Sequence, residues 1–168
     1  MRKSGVIAGL AALTACTAAA PPEASLPGPA FDPVAFFTGA THGDGKLDQI
    51  MKRQRIVTVD SVGTPTANGA LTLTQRIATQ GDKPRTREWT LKQVAPGRYS
   101  GELTDANGPV ETIAIGRAIR IRYPMKSGLK VEQWLVALPG GRVLDNRLTV
   151  TKWGMKVASL HERITKVD

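Results

Sequence analysis

The sequence is poor in the residues that cross-link a fold or carry out nucleophilic and metal chemistry. It holds one cysteine in 168 residues, so no intrachain disulfide can form even in an oxidising compartment. It has two histidines, His42 and His161, and no Gly-x-Ser-x-Gly motif lies near either. A hydrolase needs a nucleophile, a base and a group that orients the base, and a zinc site needs clustered ligands. These shortages argue against an enzyme, a metal site or a bound cofactor.

Long apolar runs are also scarce. The strongest, residues 6–13, is far shorter than the ~20 residues of a spanning helix, and no later segment approaches that length. A basic start, a short apolar middle and small residues at its end predict a secretory signal peptide. The run ends in Leu13, Thr14, Ala15 and Cys16. This tetrapeptide resembles the lipobox of bacterial lipoproteins, in which the peptide is cut just before an acylated cysteine.

The lipobox resemblance predicts how the protein is held and where. It implies that Cys16 carries acyl chains such as palmitate and attaches the protein to a membrane. Because each buried methylene contributes about 0.8 kcal/mol, two or three chains hold a domain on a bilayer stably. Residue 17 is threonine, whereas an aspartate there marks inner-membrane retention in enterobacterial lipoproteins. The resemblance therefore implies the periplasmic face of the outer membrane.

The charge is strongly positive, with 23 Lys and Arg against 14 Asp and Glu and a formal net charge of +9. In a cytoplasmic protein this excess of positive charge would suggest nucleic acid as a partner. An exported protein meets phospholipid head groups and other anionic envelope surfaces instead, so we predict no nucleic-acid partner. Lys52, Arg53 and Arg55, with the pair Arg120 and Arg122, are then either a solvated basic face or a patch that meets an anionic surface.

Three segments follow along the chain. Residues 1–15 are the predicted signal peptide. Residues 16–30 are rich in Ala and Pro, lack periodicity and predict a stiffened tether reaching up to ~40 Å from the bilayer. Residues 31–168 form the predicted folded domain, and they are enough for one core.

The folded domain begins with the signature of a short helix. Asp32 can cap it, Pro33 suits its first position and Gly39 can end it. Phe31 and Phe36 then have the spacing of a hydrophobic staple. Two turns of helix are unstable alone, so the apolar side must pack on the domain. We expect a structural plug at the mouth or flank of the domain, with a lid over a cavity as the alternative.

From about residue 46 the hydrophobic pattern alternates with a period of two, which predicts half-buried antiparallel strands. Turn dipeptides separate the strands about every dozen residues: Asn68-Gly69, Gly81-Asp82, Pro96-Gly97, Asn107-Gly108, Ser127-Gly128 and Gly140-Gly141. The pattern predicts an all-β antiparallel meander of about eight to ten strands, closed or nearly so. Residues 129–138 are apolar on both faces. We expect the short helix to cover their outer side, unless a partner or lipid does.

A set of residues recurs in a distinctive order: Phe36, Phe37, Gly39, Arg87, Trp89, Arg98, Tyr99, Gly101, Asp105, Tyr123, Trp134, Asn146, Arg147, Lys152, Trp153 and Gly154. In order and spacing this set resembles DUF3833, a family of bacterial lipoproteins, over nearly the whole mature chain. The resemblance implies a lipocalin-like β-barrel over residues 31–168, without an assigned activity. It also implies a lipid-related role.

Polar and aromatic residues within the strands are the candidate ligand-binding side chains: Arg87, Trp89, Tyr99, Asp105, Tyr123, Glu132 and Trp134. Arg87 shares a strand face with Trp89, and Asp105 shares one with Tyr99, so either charge can point inward. One interpretation is a buried ion pair or hydrogen-bonded network that sets strand register. The other is a polar contact for a ligand head group in an aromatic-lined cavity.

These patterns predict a membrane-anchored envelope lipoprotein that binds a lipid or other apolar small molecule without catalysis. The alternative is a structural or assembly lipoprotein with a filled barrel that presents a basic face to an envelope partner. Barrels of about eight strands enclose either side chains or one small ligand, so topology does not decide between them. The oligomeric state and the identity of any ligand stay open at this stage.

Overall fold

Ten antiparallel strands close into a barrel in the computed structural model, which describes residues 20–21, 24 and 28–167. The elements are α1 Pro33–Phe37, β1 Gly39–Gln49, β2 Arg55–Pro65, β3 Ala70–Thr79, β4 Arg85–Ala95, β5 Arg98–Leu103, β6 Val110–Ile115, β7 Ala118–Pro124, β8 Lys130–Ala137, β9 Val143–Lys152 and β10 Met155–Lys166. Each strand pairs with its neighbours in sequence, and β1 pairs with β10 to close the barrel. The all-β prediction is confirmed, and so is the short helix. The predicted signal and lipidation residues, Leu13 to Cys16, lie outside the described residues.

The turn chemistry explains where the strands end. All six predicted turn dipeptides fall between consecutive strands. At Asn68-Gly69, for example, Gly69 has a φ of +74°, a backbone conformation that glycine adopts without steric cost. The short connections join antiparallel neighbours directly, which is why the strands follow one another around the barrel.

The prediction that strands begin near residue 46 is wrong, because β1 begins at Gly39. His42 therefore lies within this strand. Gly43 and Gly45 interrupt the apolar alternation there because they leave room for Glu162 of β10. A Cβ atom on Gly43 would stand 2.0 Å from the Glu162 carboxylate oxygen. Only the packing of β1 on β10 reveals why a strand needs glycine at these positions.

The helix forms as its sequence predicts. The Asp32 carboxylate accepts hydrogen bonds from the backbone N–H groups of Val34 (2.9 Å) and Ala35 (3.3 Å). The Phe31 and Phe36 rings lie 5.7 Å apart, which confirms the staple. Since α1 has five residues, its stability comes from packing on the barrel.

The helix closes one end of the barrel, which we call the closed end. The carbonyl group of Phe37 lies against Gly63 of β2, where a Cβ atom would come within 1.8 Å of its oxygen. The Lys166 ammonium group donates hydrogen bonds to three carbonyl oxygens at the end of the helix, at 3.0 to 3.1 Å. No helix in the described part of the chain is long and apolar enough to cross a membrane.

The outer face of β8 is covered differently from our expectation. Trp134 and Val136 point away from the barrel interior and form a small buried cluster with Ala118 and Ala24. The guanidinium of Arg120 lies 5.7 Å from the centre of the Trp134 ring. The expectation that the helix covers this face is therefore wrong. A residue of the Ala- and Pro-rich segment covers it, while the helix packs into the barrel core.

Candidate ligand-binding cavity

A cavity of about 200 Å³ runs inside the barrel from α1 toward the opposite end, which we call the open end. Pro33 and Phe37 of the helix line it at the closed end. Half-buried Leu47, Val150 and Leu160 line it toward the open end. The walls are mainly aliphatic and aromatic side chains from eight of the strands. Since an apolar cavity of about 150 Å³ is large enough to bind benzene, this space can hold part of an apolar molecule.

One wall carries a hydrogen-bonded group centred on Gln75 of β3. The Gln75 side-chain oxygen accepts hydrogen bonds from the Nε of Arg87 and the Nε1 of Trp89, both at 2.8 Å. Its amide nitrogen donates to the hydroxyl of Ser61 at 3.1 Å. Strand register explains the arrangement, because Ser61 lies opposite Gln75 and Gln75 lies opposite Arg87. Gln75 therefore fixes the orientation of both β4 side chains toward the cavity.

Arg87 is held among aromatic rings on this wall. Its guanidinium lies 5.4 Å from the centre of the Trp89 ring, within the range of a cation–π contact. Trp89 meets Tyr123 of β7 edge to face, with ring centres 5.9 Å apart. Burial raises the pKa of Tyr123, and the nearby positive charge of Arg87 opposes that shift. The Tyr123 hydroxyl is therefore neutral at physiological pH, and with Arg87 it gives this wall hydrogen-bond donors.

The opposite wall carries a second group with unused acceptors. Gln133 donates from its amide nitrogen to the side-chain oxygen of Asn146 at 2.9 Å, and Asn146 donates to one carboxylate oxygen of Glu162 at 2.6 Å. The other side-chain oxygens, Oε1 of Gln133 and Oε1 of Glu162, have no hydrogen-bond partner among the described residues. Both side chains are buried, with exposed fractions of 6% and 5%. Acceptors left unpaired in a low-dielectric interior are costly, so a ligand donor would stabilise them.

Burial also governs the charge of Glu162. Loss of solvation raises the pKa of its carboxyl group. The hydrogen bond from Asn146 and the positive charge of Arg87 act in the opposite direction.

The cavity therefore has donors on one wall, acceptors on the other and apolar surface between them. This arrangement can orient an apolar molecule with one polar end.

The structure brings three of the seven predicted ligand-binding residues together. Arg87, Trp89 and Tyr123 all line the cavity. Tyr99 is buried in the main core but is not part of the cavity wall. Asp105 lies near the rim of the open end, where its carboxylate is 2.7 Å from the Arg85 guanidinium.

The remaining two predicted ligand-binding residues require correction. Trp134 is on the outer wall, and Glu132 lies two positions away on the same outward face of β8. The alternation of β8 turns Gln133 inward and these two outward, so neither can contact a molecule in the cavity.

Sequence reasoning missed the four buried polar side chains that line the cavity with Arg87: Gln75, Gln133, Asn146 and Glu162. A signal was present, because each occupies an inward position of an otherwise apolar alternation. Glu162, for example, stands between Leu160 and Ile164. A polar residue at a core position of a strand is the informative observation, since such groups are buried only when they are paired or used.

Both histidines point outward. The His42 ring lies 2.6 Å from the Asp60 carboxylate and 3.3 Å from that of Asp44, and the hydrogen bond to Asp60 raises the pKa of His42. The His161 ring lies 2.6 Å from the carboxylate of Asp145. Within the described residues, no group of three His, Cys, Asp or Glu side chains is placed to hold a metal ion.

Comparison with known proteins identifies the family and the fold. A family model described as a protein of unknown function, DUF3833, matches residues 10–166. An S-type phycobiliprotein lyase from Guillardia theta has a similar structure, with a TM-score of 0.65 and 8% identity over 80% of this chain and 90% of that one. A redesigned β-barrel gives a TM-score of 0.43 and 10% identity over 80% of this chain and 95% of that one. No curated protein matches the sequence.

Proposed function

The chain belongs to the DUF3833 family, and from that premise we propose that it is an envelope lipoprotein whose barrel binds a lipid or similar apolar molecule without catalysis. The observation that carries the proposal is the cavity with its unpaired buried acceptors, Gln133 Oε1 and Glu162 Oε1. A barrel that served only as a scaffold would gain stability from apolar side chains at these positions.

The proposed ligand has an apolar body and one polar end. The body lies along the aliphatic wall toward α1, and the polar end lies between Arg87 and Glu162. A hydroxyl group suits this position because it can donate to Gln133 or Glu162 and accept from Arg87. A carboxylate can only accept, so its binding depends more heavily on Arg87.

Binding without catalysis is supported by the chemistry of the wall. The described residues that line the cavity include no serine, cysteine, histidine or lysine. They thus lack the usual pairing of a nucleophile with a base. The similar structure from Guillardia theta is that of a lyase, and at 8% identity this likeness concerns the fold.

The anchor is proposed from the sequence motif around Cys16. Acylation at this cysteine would attach the protein to the periplasmic face of the outer membrane. Palmitate labelling of the protein in its own cells tests this, with Cys16→Ser as the control. Label in the wild type alone supports the anchor, and equal labelling of the two proteins contradicts it.

Blocking the cavity tests the binding proposal. Leu73 lines the cavity from β3, and the exposed Thr74 beside it points outward. We expect wild type and Thr74→Trp to bind 1-dodecanol in titration calorimetry, and Leu73→Trp to bind it at least tenfold more weakly. Val59→Phe is a smaller filling variant for use if Leu73→Trp does not fold. Equal binding by the filling and control variants, or no binding by wild type, contradicts the proposal.

The proposed position of the ligand's polar end is tested by replacing two arginines, each of which lies over a tryptophan ring. Arg87 lies over Trp89 inside the barrel, and Arg120 lies over Trp134 outside it. Arg87→Gln should weaken dodecanoate binding more than 1-dodecanol binding, whereas Arg120→Gln should change neither. An equal effect of both variants on both probes would contradict the assigned position of the polar end.

A further inference from the structure

We propose that the open end of the barrel docks on an anionic phospholipid bilayer through the tips of two adjacent hairpins. One tip joins β1 to β2 and carries Ile50 and Met51. The other joins β9 to β10 and carries Trp153 and Met155. Met51 and Trp153 are among the most exposed large apolar side chains of the described chain, at 99% and 86%. Docking is independent of the ligand proposed for the cavity.

The two tips form one surface because their strands are neighbours. β1 pairs with β10 up to Gln49 opposite Ala158, and the backbone N–H of Ile50 donates to the carbonyl of Val157 at 3.0 Å. The four apolar side chains therefore emerge along one edge of the open end. A patch of this kind, clustered and unpaired within the chain, indicates an interaction site.

The backbone at both tips adopts a conformation that disfavours these side chains. Met51 has a φ of +59° and Trp153 a φ of +50°, and they are the only non-glycine residues with positive φ among those described. The left-handed conformation is unfavourable for a non-glycine residue, and glycine or asparagine would fit better. The turns alone do not account for a methionine and a tryptophan at these positions, but insertion into a bilayer interface does, since tryptophan concentrates there.

The charge around the tips is complementary to an anionic surface. Four exposed basic side chains flank the apolar ones: Lys52, Arg53, Lys152 and Lys156. The sequence has no Asp or Glu between residues 49 and 59 or between residues 146 and 161. The Lys152 ammonium lies 4.6 Å from the centre of the Trp153 ring. Basic residues close to an anionic bilayer are attracted to it, and long basic side chains can reach head groups while apolar neighbours insert.

The acidic groups near the tips are fewer than the basic ones. The Asp82 carboxylate lies 2.7 Å from the Arg55 guanidinium, and Asp48 accepts a hydrogen bond from the neutral Gln54 side chain at 3.0 Å. The four basic side chains of the tips therefore outnumber these two carboxylates.

The docked orientation brings the cavity to the bilayer. Leu47 and Leu160 lie opposite each other on β1 and β10 below the tips, and both line the cavity. This route for an apolar molecule rests on the proposed function.

Fluorescence of Trp153 in the full chain provides the test. The protein is reconstituted into phosphatidylglycerol–phosphatidylethanolamine vesicles whose acyl chains carry bromine, which quenches tryptophan in the bilayer. The other two tryptophans, Trp89 and Trp134, are buried, and Trp153→Phe measures their emission. We expect a blue shift of Trp153 emission and at least twofold quenching. Charge reversal at Lys52 and Lys152, or replacement of phosphatidylglycerol by phosphatidylcholine, should abolish most of it.

A tryptophan at the closed end is the matched control. Val94 is 62% exposed near the closed end of β4, comparable with Met155 at 63%. The double variant Val94→Trp, Trp153→Phe should show no quenching. Equal quenching at both ends, an unchanged Trp153 spectrum, or full quenching after charge reversal would overturn the proposal. Sedimentation with the vesicles measures anchoring separately, so loss of the anchor is distinguished from loss of tip contact.

Discussion

The two ends of the barrel both carry aromatic side chains, yet they use them in opposite ways. At the closed end Phe31, Phe36 and Phe37 are buried around the helix, and Lys166 holds the end of that helix. At the open end Trp153 stands in solvent beside basic side chains. We infer that an aromatic side chain at an end of this barrel stabilises the fold only where another segment of the chain, such as the helix, buries it. The uncovered end is available for a partner.

The largest expected difference between the ends is in stability. Phe36→Ala should lower the free energy of unfolding by about 3–5 kcal/mol, because it leaves a cavity under the helix. Trp153→Ala should change it by less than about 0.5 kcal/mol, since its side chain touches little of the fold. Urea unfolding followed by circular dichroism measures both. Similar losses of unfolding free energy in the two variants would contradict the difference that we infer between the two ends.

The next expected effect concerns Glu162, which lies between the ends. Burial raises its pKa in the folded protein, so the folded state holds the proton to higher pH than the unfolded state. The free energy of unfolding therefore falls as pH rises from the ordinary glutamate pKa to the raised one, and it stays lower above that window. Glu162→Gln removes this dependence. As pH increases through the window, the variant should become more stable than wild type. Urea unfolding at several pH values measures the difference in the free energy of unfolding, which should disappear at acidic pH.

A smaller effect is expected from the helix cap. Asp32→Ala removes the acceptor for two N–H groups at the closed end and should cost about 1 kcal/mol. Asp82→Ala breaks an exposed ion pair with Arg55 at the open end and should cost less than about 1 kcal/mol. Thermal unfolding of the two variants shows which of them loses more stability. A larger loss for Asp82→Ala would mean that the open end contributes more to stability than its exposure indicates.

The smallest expected effect is at His42 on the outer wall. The hydrogen bond to Asp60 raises its pKa, so its contribution to stability is present below the ordinary histidine pKa and is lost as pH rises through the raised one. The contribution is small because the side chain is 41% exposed. An NMR titration should show the raised pKa in wild type and a value nearer the ordinary one in Asp60→Asn. An unchanged pKa in that variant would contradict the assignment to Asp60.

Local patterns in the sequence were sufficient for much of the fold. Asp32 and Pro33 predict the helix because capping depends on residues a few positions apart. The glycine-containing turns predict the strand ends for the same reason. The start of β1 was missed because Gly43 and Gly45 conceal the alternation, and their cause lies on β10, more than a hundred residues away.

The binding site was predictable only in part. Arg87, Trp89 and Tyr123 were identified from their strand positions and are together in the cavity. Glu132 and Trp134 were misplaced because a strand that is apolar on both faces does not reveal which face turns inward. That choice depends on closure of the barrel.

By itself, therefore, the sequence determined the all-β pattern apart from the start of β1, the turns, the capped helix and the family, since each depends on short-range patterns or residue order. The tertiary structure alone decided which polar side chains face each other across the cavity. It also decided that the helix closes one end, while Met51 and Trp153 stand exposed at the other. The physical reason is that a strand's alternation defines two faces, and only its pairing partners around a closed barrel determine which face is buried.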